Sequence, residues 1–292
     1  MRITEAMTLN TVLESESGAA QRMATLSAQA GSGVRVAEPS DDPAAYASIV
    51  QQDAQIGIVQ ARQSAAKVSG DDLNLAESTL DQASTLVQQA QAIAVEGANG
   101  TQSATSRAAL GKQVDGLRSQ LLALANARGS SGYLFGGTET TSPPFDASAT
   151  FVGNDNQRQI EVADGVFAVS NASGAQAFTA AGGRDVFADL QTLSTALSTN
   201  NESVIQSSVD DLGTSFNQVL SARVDAGERA GRLQSASDVM TGALSQLQTS
   251  LSNTASADPA TTFSNLQAAQ LAYQQAVQVN QNVLSSAFAK NS

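Results

Sequence analysis

Apolar positions recur along this chain at alternating steps of four and three. The longest such run spans 205–251: Ile205, Val209, Leu212, Phe216, Val219, Arg223, Ala226, Ala230, Leu233, Ser237, Met240, Leu244, Leu247 and Leu251. A mean step of 3.5 keeps one face of an α-helix turned toward a partner helix. At 1.5 Å per residue this helix is roughly 70 Å long. The same rhythm at Leu9, Val12, Glu16, Ala19, Met23, Leu26 and Ala30 predicts a first helix from near Thr4 to Ala30, ended by Gly31. Leu73, Ala76, Leu80, Ala83, Val87, Ala90 and Ala94 mark a second, and Leu110, Val114, Leu117, Leu121, Leu124 and Arg128 a third over 101–128. Leu190, Leu193 and Leu197 mark a shorter helix beginning near Asp185. Phe263, Leu266, Gln270, Tyr273, Val277, Asn280, Leu284 and Ala287 give the last one its stripe.

Proline punctuates these runs. In Ser40-Asp41-Asp42-Pro43 and again in Asp258-Pro259 a carboxylate precedes proline, which suits a helix start: the side chain accepts from first-turn N–H groups and proline fits the first helical position. Two adjacent carboxylates at Asp41 and Asp42 do not make a metal or acid/base site, because no further convergent ligand or catalytic group accompanies them. Both ends of the chain are amphipathic helices with no short hairpin partner, so each is expected to bury its stripe on the other.

Between 133 and 183 the periodicity changes. Seven of the chain's twelve aromatics fall between Tyr133 and Phe187, Pro143-Pro144 excludes a helix, and Gln159-Ile160-Glu161-Val162 alternates. Asp164-Gly165 is a hairpin turn signal before Val166-Phe167-Ala168-Val169. Gly129, Gly132, Gly136 and Gly137 surround Tyr133-Leu134-Phe135, but no Lys-Ser or Lys-Thr follows, and a helix ends here where a phosphate loop would begin one. A tight turn into a small β-rich insert with a local aromatic core accounts for them. The fold class is therefore mainly α: an elongated multi-helix coiled-coil bundle with a small β-rich insert. Its divisions are 1–41 with 258–292, the terminal helices of an inner coiled coil; 42–132 with 184–257, the long-helix bundle; and 133–183, the outer insert.

Composition narrows the chemistry. The 292 residues are 14% charged and 4% aromatic, and Cys, His and Trp are all absent. There is no thiolate, no imidazole base and no conventional zinc or haem site, so neither an enzyme nor a cofactor is expected. The net charge of −12 and the scattering of fifteen basic residues argue against nucleic acid. No apolar run spans a membrane, and the beginning of the chain lacks the apolar segment of a secretory signal. Arg128 and Arg223, like Gln270 and Asn280, fall on helical stripes where apolar residues are expected. Each either sets register with a partner or lies exposed at the margin of its stripe.

Read in order, several segments resemble one family. Gln21-Arg22-Met23-Ala24-Thr25-Leu26, Gly31-Ser32-Gly33-Val34-Arg35-Val36 and Ser40-Asp41-Asp42-Pro43-Ala44-Ala45 are similar to the amino-terminal region of bacterial flagellins and their junction proteins. Pro43, where flagellins usually carry Ala-Ala-Gly after the aspartates, resembles FlgL, the third hook-associated protein family. Gly132-Tyr133-Leu134-Phe135-Gly136-Gly137-Thr138 with Pro144-Phe145 resembles that family's outer β domain signature, and Ala222-Arg223-Val224-Asp225-Ala226-Gly227-Glu228-Arg229 its returning helix. Leu271-Ala272-Tyr273-Gln274-Gln275-Ala276 with Val283-Leu284 is similar to its last helix, whereas the ending Phe288-Ala289-Lys290-Asn291-Ser292 departs from the family's Leu-Leu-Asp-Tyr-Leu-like tail.

The resemblance implies a secreted structural subunit, exported through the flagellar type III apparatus with an export chaperone and assembled as a ring of copies at the hook–filament junction. Its neighbours would be the first hook-associated protein below and flagellin with the filament cap protein above. Assembly would use Leu9, Val12, Met23, Leu26, Phe263, Leu266, Tyr273, Val277 and Leu284, with the terminal segments mobile in the free subunit. The family motif residues are Ser40, Asp41, Asp42, Pro43, Tyr133, Leu134, Phe135, Gly136, Gly137 and Arg223. A short flagellin, or a secreted coiled-coil adhesin or effector, would also carry such helices.

Overall fold

The computed structural model describes residues 2–289, with side chains from 7 to 286. Its elements in order are α1 (Arg2–Ser32), α2 (Pro43–Gly97), α3 (Ala104–Ala125), β1 (Arg128–Gly129), β2 (Gly132–Tyr133), β3 (Gln159–Ala163), β4 (Val166–Val169), α4 (Gly174–Phe178), a 3₁₀ turn (Ala180–Gly182), α5 (Val186–Ser198), α6 (Glu202–Ala255) and α7 (Pro259–Ala289). The chain is mainly helical, and its strands form two antiparallel hairpins, β1–β2 and β3–β4. It divides into two compact units, Met1–Gly57 with Leu244–Ser292 and Ile58–Ala243.

In the second unit the heptad stripes become a core. Leu73, Ala76, Leu80, Ala83, Val87, Ala90 and Ala94 of α2 are all buried together with Leu110, Val114, Leu117 and Leu121 of α3 and Ile205, Leu212, Val219, Ala226, Ala230 and Leu233 of α6. Alanine at alternate positions of the α2 stripe, Ala76, Ala83 and Ala90, lets the helices approach closely, so burial here comes from contact density more than from large side chains. Leu190, Leu193 and Leu197 of α5 join the same core, and Asp185 caps that helix by accepting from Ala188 N at 2.9 Å.

The third helix is shorter than its stripe predicts. It ends at Ala125, and the C-cap Asn126 turns its side chain to Phe145, accepting from Phe145 N and donating to Phe145 O at 3.0 Å each. Ala125 takes the buried place that the stripe gave to Leu124, which is half-buried. Arg128 is therefore not a helical stripe residue but an exposed member of β1, stacked 4.8 Å over the Tyr133 ring.

The β hairpin falls where the alternation placed it. Ile160 pairs with Ala168 and Gln159 with Val169, and Gly165 takes φ 69° in the turn. Arg62 of α2 reaches Glu161 and Asp164 on this hairpin at 2.9 and 2.8 Å. The insert has its own aromatic core. Phe178 meets Phe135 and Phe145 edge-on, at 5.5 and 5.8 Å between centroids, and Phe187 lies 5.3 Å from Phe145.

In the first unit α1 packs along α7. The two run antiparallel, since the loop after α1 bonds to the residues just before α7 and Glu16 meets Asn280 farther along. On α1 the stripe read from the sequence, Leu9, Val12, Glu16, Ala19, Met23, Leu26 and Ala30, is buried or half-buried, and Gly18, Ala20 and Gln29 lie half-buried beside it. On α7 the stripe differs: Thr262 is buried, and Leu266, Ala269, Tyr273, Ala276, Val277, Asn280 and Val283 are half-buried. Phe263, Gln270 and Leu284, expected on the seam, are exposed beside it. Small side chains at Thr262, Ala269 and Ala276 bring the helices close, and the bulkier residues one position on are left at the flank. The expected stripe member Ala287 and the tail 288–292 lie outside the described side chains.

Candidate functional site

The segment from Gly33 to Pro43 forms a clamp within the first unit. Gly33, at φ 72°, ends α1 two residues beyond the predicted stop at Gly31, and its N–H donates to Gln29 O at 2.8 Å. The chain then doubles back against the end of α6. Arg35 N donates to Ala255 O at 2.7 Å, Ala257 N to Gly33 O at 2.9 Å, and Val34 forms an isolated antiparallel bridge with Ser256.

Each acidic residue of Ser40-Asp41-Asp42-Pro43 then has a distinct task. Asp41 folds the loop by accepting from Ala37 N and Glu38 N at 2.9 and 3.0 Å. Asp42 caps α2 through Ala45 N at 3.0 Å and takes Arg35 in an ion pair at 3.1 Å. The other arm of Arg35 donates to Thr254 O at 2.9 Å, placing a cation at the negative end of α6. One guanidinium thus links the start of α2 to the end of α6.

Backbone donors hold these carboxyls below their ordinary range. For Asp41 the largest cause is Glu38 N–H, then Ala37 N–H; for Asp42 it is Ala45 N–H, then Arg35. Asp258 is lowered chiefly by Thr261 N–H, which it caps at 2.8 Å at the start of α7. The motif is therefore a set of helix caps and a loop clamp rather than a metal site.

The second motif surrounds the way into the insert. Leu134 and Phe135 are buried, Tyr133 is half-buried under Arg128, and Gly136 and Gly137 carry the chain past two carbonyls. A methyl group at Gly136 would run into Glu139 O; at Gly137, where φ is 71°, it would run into Asn154 O. The glycines serve close backbone approach, with no helix beginning at them to receive a phosphate.

Arg223 resolves its open reading. From half-exposed α6 it donates to Glu77 and Asp81 of α2 at 2.6 and 2.5 Å, and the Glu77 hydrogen bond is the largest cause raising its already high pKa. It is a bridge between two helices at a fixed level.

Three other polar residues do comparable work without announcing themselves in sequence. Buried Asp72, on the α2 stripe side, accepts from Ser130 N and Ser131 N at 2.7 and 3.0 Å and so holds the β1–β2 turn. Buried Arg107 donates to Gly97 O, Asn99 O and Asn200 Oδ1, closing the end of α2. Gln218 donates to Thr179 O and Arg184 O at 3.0 Å each and accepts from Arg184 N, tying down the exit of the insert. Asp72 and Gln218 reach backbone groups far away in sequence, and Arg107 joins nearby backbone to the distant Asn200 side chain, partners that no local pattern marks.

The predicted assembly residues fall into two groups. Leu9, Val12, Met23, Leu26, Leu266, Tyr273 and Val277 are half-buried along α1 and α7, while Phe263 and Leu284 are 55% and 37% exposed. Met7, Leu13, Leu271 and Val279 are exposed on the same two helices. Helix α7 contains no Asp, Glu, Lys or Arg. Solvated helix faces ordinarily carry charge, and interface cores are depleted of it. Elsewhere a polar cleft of about 530 Å³ between α2 and α6, bordered by Gln63, Lys67, Asp71, Asn74 and Asp238, offers amides and mixed charges. Among the described residues no helix is long and apolar enough to cross a membrane.

Comparison with known proteins gives these features a common setting. Residues 3–140 match the bacterial flagellin N-terminal helical region. Over 258 residues the chain is 30% identical to flagellar hook-associated protein 3 of Salmonella typhimurium, covering 80% of this chain and 81% of that protein. This chain belongs to the flagellar hook-associated protein 3 family. Within the family, the Escherichia coli protein of the same name is 40% identical over 128 residues, covering 43% of this chain and 40% of that one. The fold is shared with a Vibrio parahaemolyticus protein assigned as a flagellar hook-associated protein, at a TM-score of 0.67 and 22% identity over 74% of this chain and 100% of that chain. It is shared too with Xanthomonas campestris FlgL, at 0.61 and 19% over 68% and 98%, and with the flagellar junction protein FlgL of Legionella pneumophila, at 0.55 and 16% over 71% and 99%. Hook-associated protein 3 is a structural family, not an enzymatic one.

Proposed function

We propose that this chain is a structural subunit of the flagellar hook–filament junction, where copies form the ring on which flagellin assembles. Membership of the hook-associated protein 3 family supports it. The observation that carries it is the terminal pair: α1 and α7 bury a narrow seam on one another yet leave Met7, Leu13, Phe263, Leu271, Val279 and Leu284 exposed, on a pair whose second helix has no charge. Apolar surface of this kind on an exported chain calls for protein neighbours.

The division of labour follows. The terminal segments 1–41 and 258–292 join neighbouring copies, the long helices of 42–132 and 184–257 stiffen the subunit, and the insert 133–183 faces outward. Leu9, Val12, Met23, Leu26, Leu266, Tyr273 and Val277 act by holding the terminal pair in shape, and Phe263 and Leu284 by direct contact with a neighbour. The first hook-associated protein lies below, flagellin and its cap protein above, and an export chaperone covers the chain before secretion. No cofactor takes part.

Electron microscopy of a strain lacking the gene tests the role. The expected outcome is hooks without filaments and flagellin free in the medium, reversed by the intact gene. Normal filaments in that strain would contradict the junction role, and purified chains growing alone into long filaments would make it a flagellin instead.

A further inference from the structure

We propose that Glu16 and Asn280 are the register lock of the terminal helix pair. They place a carboxylate and an amide in a seam formed chiefly by Leu9, Val12, Ala19, Met23, Leu26 and Ala30 on α1 and by Leu266, Ala269, Tyr273, Ala276, Val277 and Val283 on α7, with the hydroxyl of Thr262 buried farther along. Asn280 Nδ2 donates to Glu16 Oε2 across the seam. The other amide atom, Asn280 Oδ1, is buried and has no hydrogen-bond partner among the described residues. Two leucines would pack here without desolvating a carboxylate or stranding an acceptor, so the pair is not the choice that maximises stability.

What the pair supplies is a preference among alignments. Small and apolar seam residues repeat every seven positions, and one such slip moves a helix by about 10 Å while leaving apolar groups against apolar groups. A slip separates Glu16 from Asn280 and brings Asn280 to the level of Leu9 or Met23. Both polar groups then lose their partner inside the seam. Only one alignment satisfies the pair, and it is also the one that lets the clamp at Gly33, Arg35 and Ala257 close. The lock concerns the single chain and stands apart from the junction reading.

The absence of native cysteine allows a direct test on the full chain. Nitroxides at Asn10→Cys and Gln267→Cys, exposed positions displaced along the helix axes, report the alignment by pulsed electron resonance. With α1 packed along α7 in the single chain, the parent is expected to give one distance rather than the spread that mobile ends would give. In E16L/N280L, a second population offset by about 10 Å is expected, with helical content retained. The exchanged pair E16N/N280E restores the single distance, which a merely space-filling role would not require. An unchanged single distance in E16L/N280L, or two populations persisting in E16N/N280E, would overturn the lock.

Discussion

Phe135 is the side chain on which the insert is built. It is wholly buried and meets Phe178 edge-on, so Phe135→Ala removes an aromatic partner as well as volume. The expected loss is about 3–5 kcal/mol by denaturant titration; a loss near zero would mean that the aromatic cluster does not hold the insert. Asp72→Ala strands two N–H groups at the β1–β2 turn and should cost about 1–3 kcal/mol. Arg223→Met, at a solvent-screened ion pair, should leave the denaturant midpoint close to that of the parent. The aromatic content and the glycines made the insert visible in sequence. Asp72 was not, because a carboxylate on a helix face reads as solvated until the turn that covers it is known.

At the scale of elements, heptad periodicity revealed the α1 and α2 stripes and most of α6, since close helix packing demands that spacing whatever the sequence around it; on α6 Ser208 and Ser215 take the buried places, and Val209 and Phe216, expected there, are half-buried beside them. It misplaced part of α7 because size misled: Phe263 and Leu284 look like seam residues, yet Thr262, Ala269 and Ala276 permit the closer approach. Caps were legible at Asp42 and Asp258, where proline marks the start, but Arg35 reaching Thr254 was not. The clamp also has a pH dependence. Asp41, Asp42 and Asp258 have folded pKa values below their unfolded ones, so their contribution is complete above the unfolded carboxylate range and is lost as pH falls through the lowered values. The protection factors of amides in 33–45 and 258–262, taken relative to the intrinsic exchange rate at each pH, should therefore fall on acidification below about pH 4. In D41A/D42A, which removes the acceptors, protection of 33–45 should already be reduced at neutral pH and change little further with acid; a parent-like profile would contradict the clamp.

For the whole molecule, family membership and an uncharged, partly apolar terminal helix point the same way, to a subunit completed by its neighbours. The family was legible from motifs spread over most of the chain; which residues meet a neighbour was not, because a heptad pattern does not distinguish a partner helix in the same chain from one in another copy. Complementation of the deletion strain with Phe263→Asp/Leu284→Asp tests this central claim most directly. Both positions are exposed, so the variant should fold and be exported. The account predicts hooks that bear no filaments while the variant and flagellin accumulate in the medium; filaments of ordinary number and length would contradict it.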